Sequence, residues 1–173
     1  GSEMCIRDRQ MKAACEKSQA VCTSLKKEKK TAAPPKLFDL TTLQREANRI
    51  FGYTAKQTLD YAQSLYEKKL ITYPRTDSRY LTDDMHNTVI KIVHIASKFA
   101  PFSNCTDFKP DTFCLFNNEK VSDHHAIIPT AEIENISLAE IPNGESNILH
   151  LIMCKLLCAV NSPVSYTHLT LPT

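Results

Sequence analysis

The residues of this chain best suited to chemistry lie in one run, Leu70-Ile71-Thr72-Tyr73-Pro74-Arg75-Thr76-Asp77-Ser78. Its first half is β-branched and aromatic, and Pro74 biases Tyr73 away from helical dihedrals, so an extended backbone is predicted. Side chains at i and i+2 then point the same way, about 6.5–7 Å apart along the chain. The phenol of Tyr73 and the guanidinium of Arg75 would face one ligand together. That pair suits attack on a phosphodiester: a tyrosine oxygen can form a covalent intermediate, and arginine offers a planar fork of donors to phosphoryl oxygens. By residue type alone, a sheet aromatic beside a surface charge fits as well. His124 and His125 are a second candidate pair. Neighbours on a strand point to opposite faces and no third ligand stands at metal spacing, so the two are not expected to share a metal ion. Cys154 and Cys158 share a helix face at i, i+4, but their apolar neighbours make them core residues.

Several elements must hold this run in place. A capping box of Thr41 with Gln44 predicts a helix over 42–51, with Leu43, Ala47, Ile50 and Phe51 as its apolar stripe and Gly52 as its stop. A second box, Thr54 with Gln57, opens a helix that runs to about 69 on the stripe Leu59, Ala62, Leu65, Tyr66 and Leu70. A third helix is predicted from Thr82 to Ala100 on Val89, Ile92, Val93 and Ala96, ended by Pro101. Thr112–Phe116 and Glu119–Val121 read as a hairpin around Asn117-Asn118, and Ala126–Ile128 as one more short strand. Ser137 with Glu140 caps a brief turn, and Ile148, Leu149, Ile152, Met153, Leu156, Leu157 and Val160 mark an apolar helix over 145–160 that needs a large partner surface. Upstream, residues 10–22 finish a helix and enter a short strand. Lys26-Lys27-Glu28-Lys29-Lys30 and Pro34-Pro35 read as a basic, solvated connector with a domain boundary near 31–36. The fold class is α+β, mostly helical, with a small β-sheet carrying Tyr73 and His124 on neighbouring segments.

Composition bounds the function. With 173 residues, 42% apolar and 23% charged, the chain reads as one moderate globular domain. No apolar run approaches the ~20 residues that span a bilayer and no signal-peptide pattern opens the chain, which argues against a membrane span and against secretion. Seven cysteines (5, 15, 22, 105, 114, 154 and 158) form an odd set without a C-x-x-C pair. They indicate neither a disulfide framework nor a zinc ribbon and read as reduced, cytoplasmic thiols. The net charge of +2 hides an asymmetry: residues 1–80 carry 16 Lys/Arg against 9 Asp/Glu, and 81–173 carry 5 against 10. Such a division fits one surface that meets a polyanion, although charge runs also serve as solvated faces.

The sequence resembles the type IA DNA topoisomerases, in their topoisomerase III-like branch. The resemblance rests on four stretches: Leu37-Phe38-Asp39-Leu40-Thr41-Thr42-Leu43-Gln44, Ala62-Gln63-Ser64-Leu65-Tyr66-Glu67, Tyr73-Pro74-Arg75-Thr76-Asp77-Ser78 and His124-His125-Ala126-Ile127-Ile128-Pro129-Thr130. They occur in the family's order, and the likeness covers roughly 35–162. By this resemblance, Tyr73 is the nucleophile that attacks a single DNA strand and becomes linked to the 5′ phosphate, leaving a free 3′ hydroxyl, with strand passage and religation to follow. Arg75 would stabilise charge on the scissile phosphate, and His124 would hydrogen-bond near that phosphate. Thr76, Asp77 and Ser78 would support the site or touch DNA, Asp77 by ordering its loop. The resemblance further implies a winged-helix-like catalytic-tyrosine domain over 37–162 that swings to open a gate. Residues 10–36 would be a remnant of the adjoining gate domain. The ends, 1–9 and 163–173, resemble translated read-through of sequencing adapters, and the chain reads as a piece of a longer protein.

Part of the chemistry is then expected elsewhere. An ordinary tyrosine, with a pKa near 10, is largely protonated at neutral pH and needs help to act as a nucleophile, and the leaving 3′ oxygen needs a proton. In the family, an N-terminal Toprim domain supplies a lysine, acidic residues and the Mg²⁺ site, and no D-x-D-x-E cluster occurs here. The expected partners are single-stranded DNA and the Toprim and gate domains of the same polypeptide, with no membrane, in the cytoplasm at the nucleoid. Three other readings compete. One is a non-catalytic single-stranded DNA-binding module in which helices 42–69 grip phosphates and Tyr73 stacks a base. Relaxases and replication initiators also use a tyrosine nucleophile, but with His-hydrophobe-His metal sites rather than adjacent histidines. A partner-binding fragment would leave Tyr73 and Arg75 dispensable for DNA.

Overall fold

A computed structural model describes residues 2–16, 26–99, 103, 115–137, 140–161 and 164–170. The chain divides into two compact units, Gly1–Ala32 with Ser165–Thr173, and Ala33–Val164. The first holds helix α1 (Ser2–Cys15) and a two-stranded sheet of β1 (Lys26–Ala32) and β2 (Val164–Thr170). The lysine run is therefore a strand and not an open connector. Backbone ladders are indifferent to side-chain charge, and exposed lysines suit a sheet that consists only of edges.

The described residues of the second unit include the α-helices α2 (Leu40–Phe51), α3 (Ala55–Glu67), α4 (His86–Ser97) and α5 (Asn143–Ala159). Helix α2 starts two residues before the expected position because its cap is Asp39. The Asp39 carboxylate accepts from the Thr42 backbone N–H at 2.6 Å, and the Asp39 N–H donates to the Thr42 hydroxyl at 3.2 Å. The expected Thr41–Gln44 box does not form, since Gln44 instead donates to the Ala55 carbonyl and ties α2 to α3. A carboxylate one residue outside the helix is the stronger cap. Gly52, at φ 71°, stops α2 in the left-handed region, and its N–H donates to the Asn48 carbonyl. The Thr54–Gln57 box forms as read from the sequence. Leu43 and Ala47 are buried, whereas Ile50 is 47% exposed and lies off the buried stripe.

Two other elements differ from the sequence reading. Residues Asp83–Met85 form a 3-10 turn before α4, so the third helix begins later than Thr82 and ends at Ser97; Pro101 lies outside the described residues. Thr112–Cys114 of the expected hairpin also lie outside them. Phe116 makes a parallel bridge to Leu81, and the Asn117 side chain accepts from the Lys120 N–H to cap a 3-10 turn over Asn118–Lys120. The Lys120 N–H is shared between this side chain and the Asn117 carbonyl, each at 3.1 Å, so the cap reinforces the turn's own backbone bond.

The core lies between α3, α4 and α5, with α5 packed on α2, α3 and α4. Beside it run the extended segments around Phe38, Ile71 and Ile127. They are joined by single antiparallel bridges, Phe38 to Ile127 and Ile71 to Pro129, rather than by a continuous sheet. Backbone bonds flank the second bridge, from the Thr72 N–H to the Ile128 carbonyl and from the Thr130 N–H to the Leu70 carbonyl, both at 3.0 Å. The Thr72 hydroxyl adds to them: it donates to the Ala126 carbonyl at 3.1 Å and accepts from the Ile128 N–H at 3.0 Å. No helix among the described residues is long and apolar enough to cross a membrane.

Candidate active site

Helix α3 delivers the reactive run. Its end is a Schellman closure: the Lys69 N–H donates to the Tyr66 carbonyl at 2.8 Å and the Leu70 N–H to the Leu65 carbonyl at 2.9 Å. Lys69 stands in the left-handed region at φ 61°, a place that favours glycine. Leu65 and Leu70 are both buried, as the motif requires. The chain leaves this closure extended. Pro74, Thr76 and Ser78 turn inward, while Arg75 and Asp77 are exposed and Tyr73 is half-buried. The period-2 alternation read from the sequence is therefore present, and Tyr73 and Arg75 occupy the same outward side.

Tyr73 sits between two rings. The His124 ring lies tilted on it with centroids 4.4 Å apart, and Tyr66 meets it edge-on at 5.4 Å. These groups, with Glu67, Lys69, Thr72, His125 and Thr130, line a hollow of about 580 Å³. Arg75 lines a different hollow of about 430 Å³, with Thr41, Thr76, Asp77, Asp123 and His124 among its walls. His124 belongs to both. The phenol and the guanidinium thus approach a ligand from two sides of one exposed imidazole.

The inward residues of the run act as braces. The Thr76 hydroxyl donates to the His124 carbonyl at 2.9 Å and accepts from the Ser78 N–H at 3.1 Å. The Ser78 hydroxyl donates to the Lys120 carbonyl at 2.8 Å. Asp77 accepts from the Ser122 hydroxyl at 3.1 Å. All three couple the Tyr73 segment to the segment ending at His124. His125 is half-buried, its Nδ1 sits 2.8 Å from the Ala126 carbonyl, and it lines the Tyr73 hollow together with His124, because residues 124 and 125 are not in a strand and do not alternate between opposite faces as the sequence suggested. Among the described residues no three His, Cys, Asp or Glu side chains converge as metal ligands.

Sequence reasoning missed Tyr66, Lys69 and His125 as parts of this hollow. Tyr66 was assigned to the buried stripe of α3, yet it is 39% exposed. Its signal was available, because a residue in the last turn of a helix leads directly into the extended run it precedes.

Comparison with known proteins adds three findings. The profile of a family described as DNA topoisomerase matches residues 6–173. DNA topoisomerase 3 of Bacillus cereus is 39% identical over 91% of this chain and 22% of its own length, and that of Shouchella clausii is 42% identical over 82% of this chain and 20% of its own. The chain thus spans about a fifth of the curated relatives it matches. The solved structure of full-length topoisomerase I from Thermotoga maritima superimposes with a TM-score of 0.63 at 23% identity, over 93% of this chain and 26% of that one. At that identity the likeness establishes the fold.

Proposed function

This chain belongs to the type IA DNA topoisomerase family, and from that premise we propose that Tyr73 cleaves one DNA strand for the full-length protein. The observation that carries the reading is the placement of His124, which touches Tyr73 and shares a hollow with Arg75. The phenol oxygen of Tyr73 forms a bond to a backbone phosphorus, the bond from that phosphorus to the 3′ oxygen breaks, the phenol gives up its proton and the departing oxygen takes one. The product is a 5′-phosphotyrosine and a free 3′ hydroxyl. Religation is the reverse displacement. Arg75 neutralises the charge that grows on the phosphoryl oxygens, and His124 donates to the same phosphate. Thr76, Asp77 and Ser78 hold the two segments in register. The Mg²⁺ belongs in this proposal to the Toprim domain of the full-length protein, and no step is routed through a metal on this chain. Cytoplasmic, nucleoid-associated location and single-stranded DNA as substrate are parts of the same proposal, as are a catalytic-tyrosine domain over 37–162 and a gate-domain remnant over 10–36. Family membership does not favour the non-catalytic binding module.

The test is covalent trapping. The chain is mixed with 3′-labelled single-stranded DNA and Mg²⁺, with and without a separately supplied Toprim-containing fragment, then denatured. A labelled band of protein mass that needs the fragment, Tyr73 and Arg75 supports both the split site and the 5′ linkage. A folded chain that associates with the fragment and yields no such band refutes the proposal.

A further inference from the structure

A second cationic feature stands at the far end of the run that begins at Tyr73. The ammonium of Lys36 lies 5.1 Å from the ring centroid of Tyr80, and that of Lys120 lies 4.9 Å from it. Both lysines are exposed and the ring is half-buried. Their backbones are pinned by the same braces that shape the active site. The Ser78 hydroxyl reaches the Lys120 carbonyl and accepts from the Tyr80 N–H, the Ala126 N–H donates to the Tyr80 carbonyl, and Lys36 enters the buried pair Leu37–Phe38. Among the described residues neither lysine makes an ion pair with a carboxylate. Cation–π contact orders each side chain without neutralising it. Two full positive charges are therefore held at one ring. The Tyr80 phenol responds to them: its pKa is lowered, first by its hydrogen bond with Lys36, against the opposing effect of burial and with help from the charge of Lys120.

We propose that Lys36 and Lys120, set against Tyr80, hold one non-scissile backbone phosphate of the strand that Tyr73 cleaves. This rests on the function proposed above and adds a path to it: the strand follows the extended run from the Tyr73 hollow, past Arg75, to Tyr80. A phosphate bridging two ammoniums gains charge-assisted hydrogen bonds and carries no base information. The contact positions the strand and leaves sequence preference untouched.

The experiment measures binding of the full chain to fluorescent single-stranded oligonucleotides of two unrelated sequences across a salt series. For wild type, log K falls linearly with log[salt]. The double variant Lys36→Gln/Lys120→Gln is expected to bind more weakly on both sequences, with a slope shallower by about 0.7, the share of one phosphate on a single strand. Lys91→Gln, on the exposed side of α4, is expected to keep the wild-type slope. A double variant that melts like wild type and retains its slope overturns this inference alone. A folded wild-type chain without salt-dependent binding overturns the strand-binding reading and this inference together.

Discussion

At the scale of single residues, the site depends on where a few side chains stand relative to one imidazole. Arg75 is exposed in the free chain, and a bound strand would cover it. Its replacement by alanine is expected to slow cleavage in the trapping assay by about 10²–10³-fold, the range for loss of one charge-stabilising donor. Lys69 offers a test in which stability and the site can be separated. A side chain in the left-handed region costs about 1 kcal/mol, so Lys69→Gly is expected to raise the free energy of unfolding by about 0.5–1 kcal/mol, read as a higher denaturant midpoint. A lower midpoint would refute the strain argument. Cys154 supplies the pH dependence; it is half-buried and Cys158 is exposed, so neither is the core residue that their apolar neighbours on the helix suggest. Burial, and then its neighbour Cys158, push its thiol above the ordinary value. The unfolded thiol ionises at lower pH than the folded one, so this group's contribution is intact below the unfolded value of about 8.5 and is lost as pH rises through the folded value. Alkylation of Cys154, followed by peptide mass spectrometry, is expected to show a pH profile above that of a free thiol, and unfolding is expected to remove the difference.

At the scale of elements, the approach of α5 to α3 fixes the platform beneath the site. Gly144 lies in the first turn of α5, where an added Cβ would stand 2.5 Å from the Tyr61 ring. That ring packs edge-on against Tyr53, whose hydroxyl accepts from Asn147 at 2.9 Å. Gly144→Ala is expected to cost about 1–3 kcal/mol by overpacking, measured by chemical denaturation. A neutral result would mean that the Tyr61 ring is free to move aside. The next residue repeats the tie: Glu145, buried, accepts from the Ser64 hydroxyl at 2.9 Å and pairs with Lys68 at the end of α3. Helix α5 therefore grips the helix whose Schellman closure launches the Tyr73 run. The Thr54–Gln57 cap and Gly52 stop were legible because each involves residues within four positions of one another. Asp39 was overlooked as a cap because Thr41 and Gln44 offer the same pattern two residues on, and only the tie of Gln44 to Ala55 decides between them.

At the scale of the whole molecule, the chain spans about a fifth of its curated relatives, and the proposed chemistry is divided between it and the rest of the protein. The isolated chain is expected not to relax supercoiled DNA in the presence of Mg²⁺. Relaxation by the purified chain, abolished by Tyr73→Phe, would show that the chain needs no second domain. The sequence by itself determined the helices α2, α3 and α5, the outward alternation of Tyr73 and Arg75, and the family, since caps, periodicity and motifs are written in neighbouring residues. Only the tertiary structure decided that His124 stands between the two hollows, that the Thr72 hydroxyl ties its segment to Ala126 and Ile128, and that Lys36 and Lys120 meet at Tyr80. Those contacts join segments far apart in the chain, and packing chooses among many such closures whose entropic costs differ little with loop length.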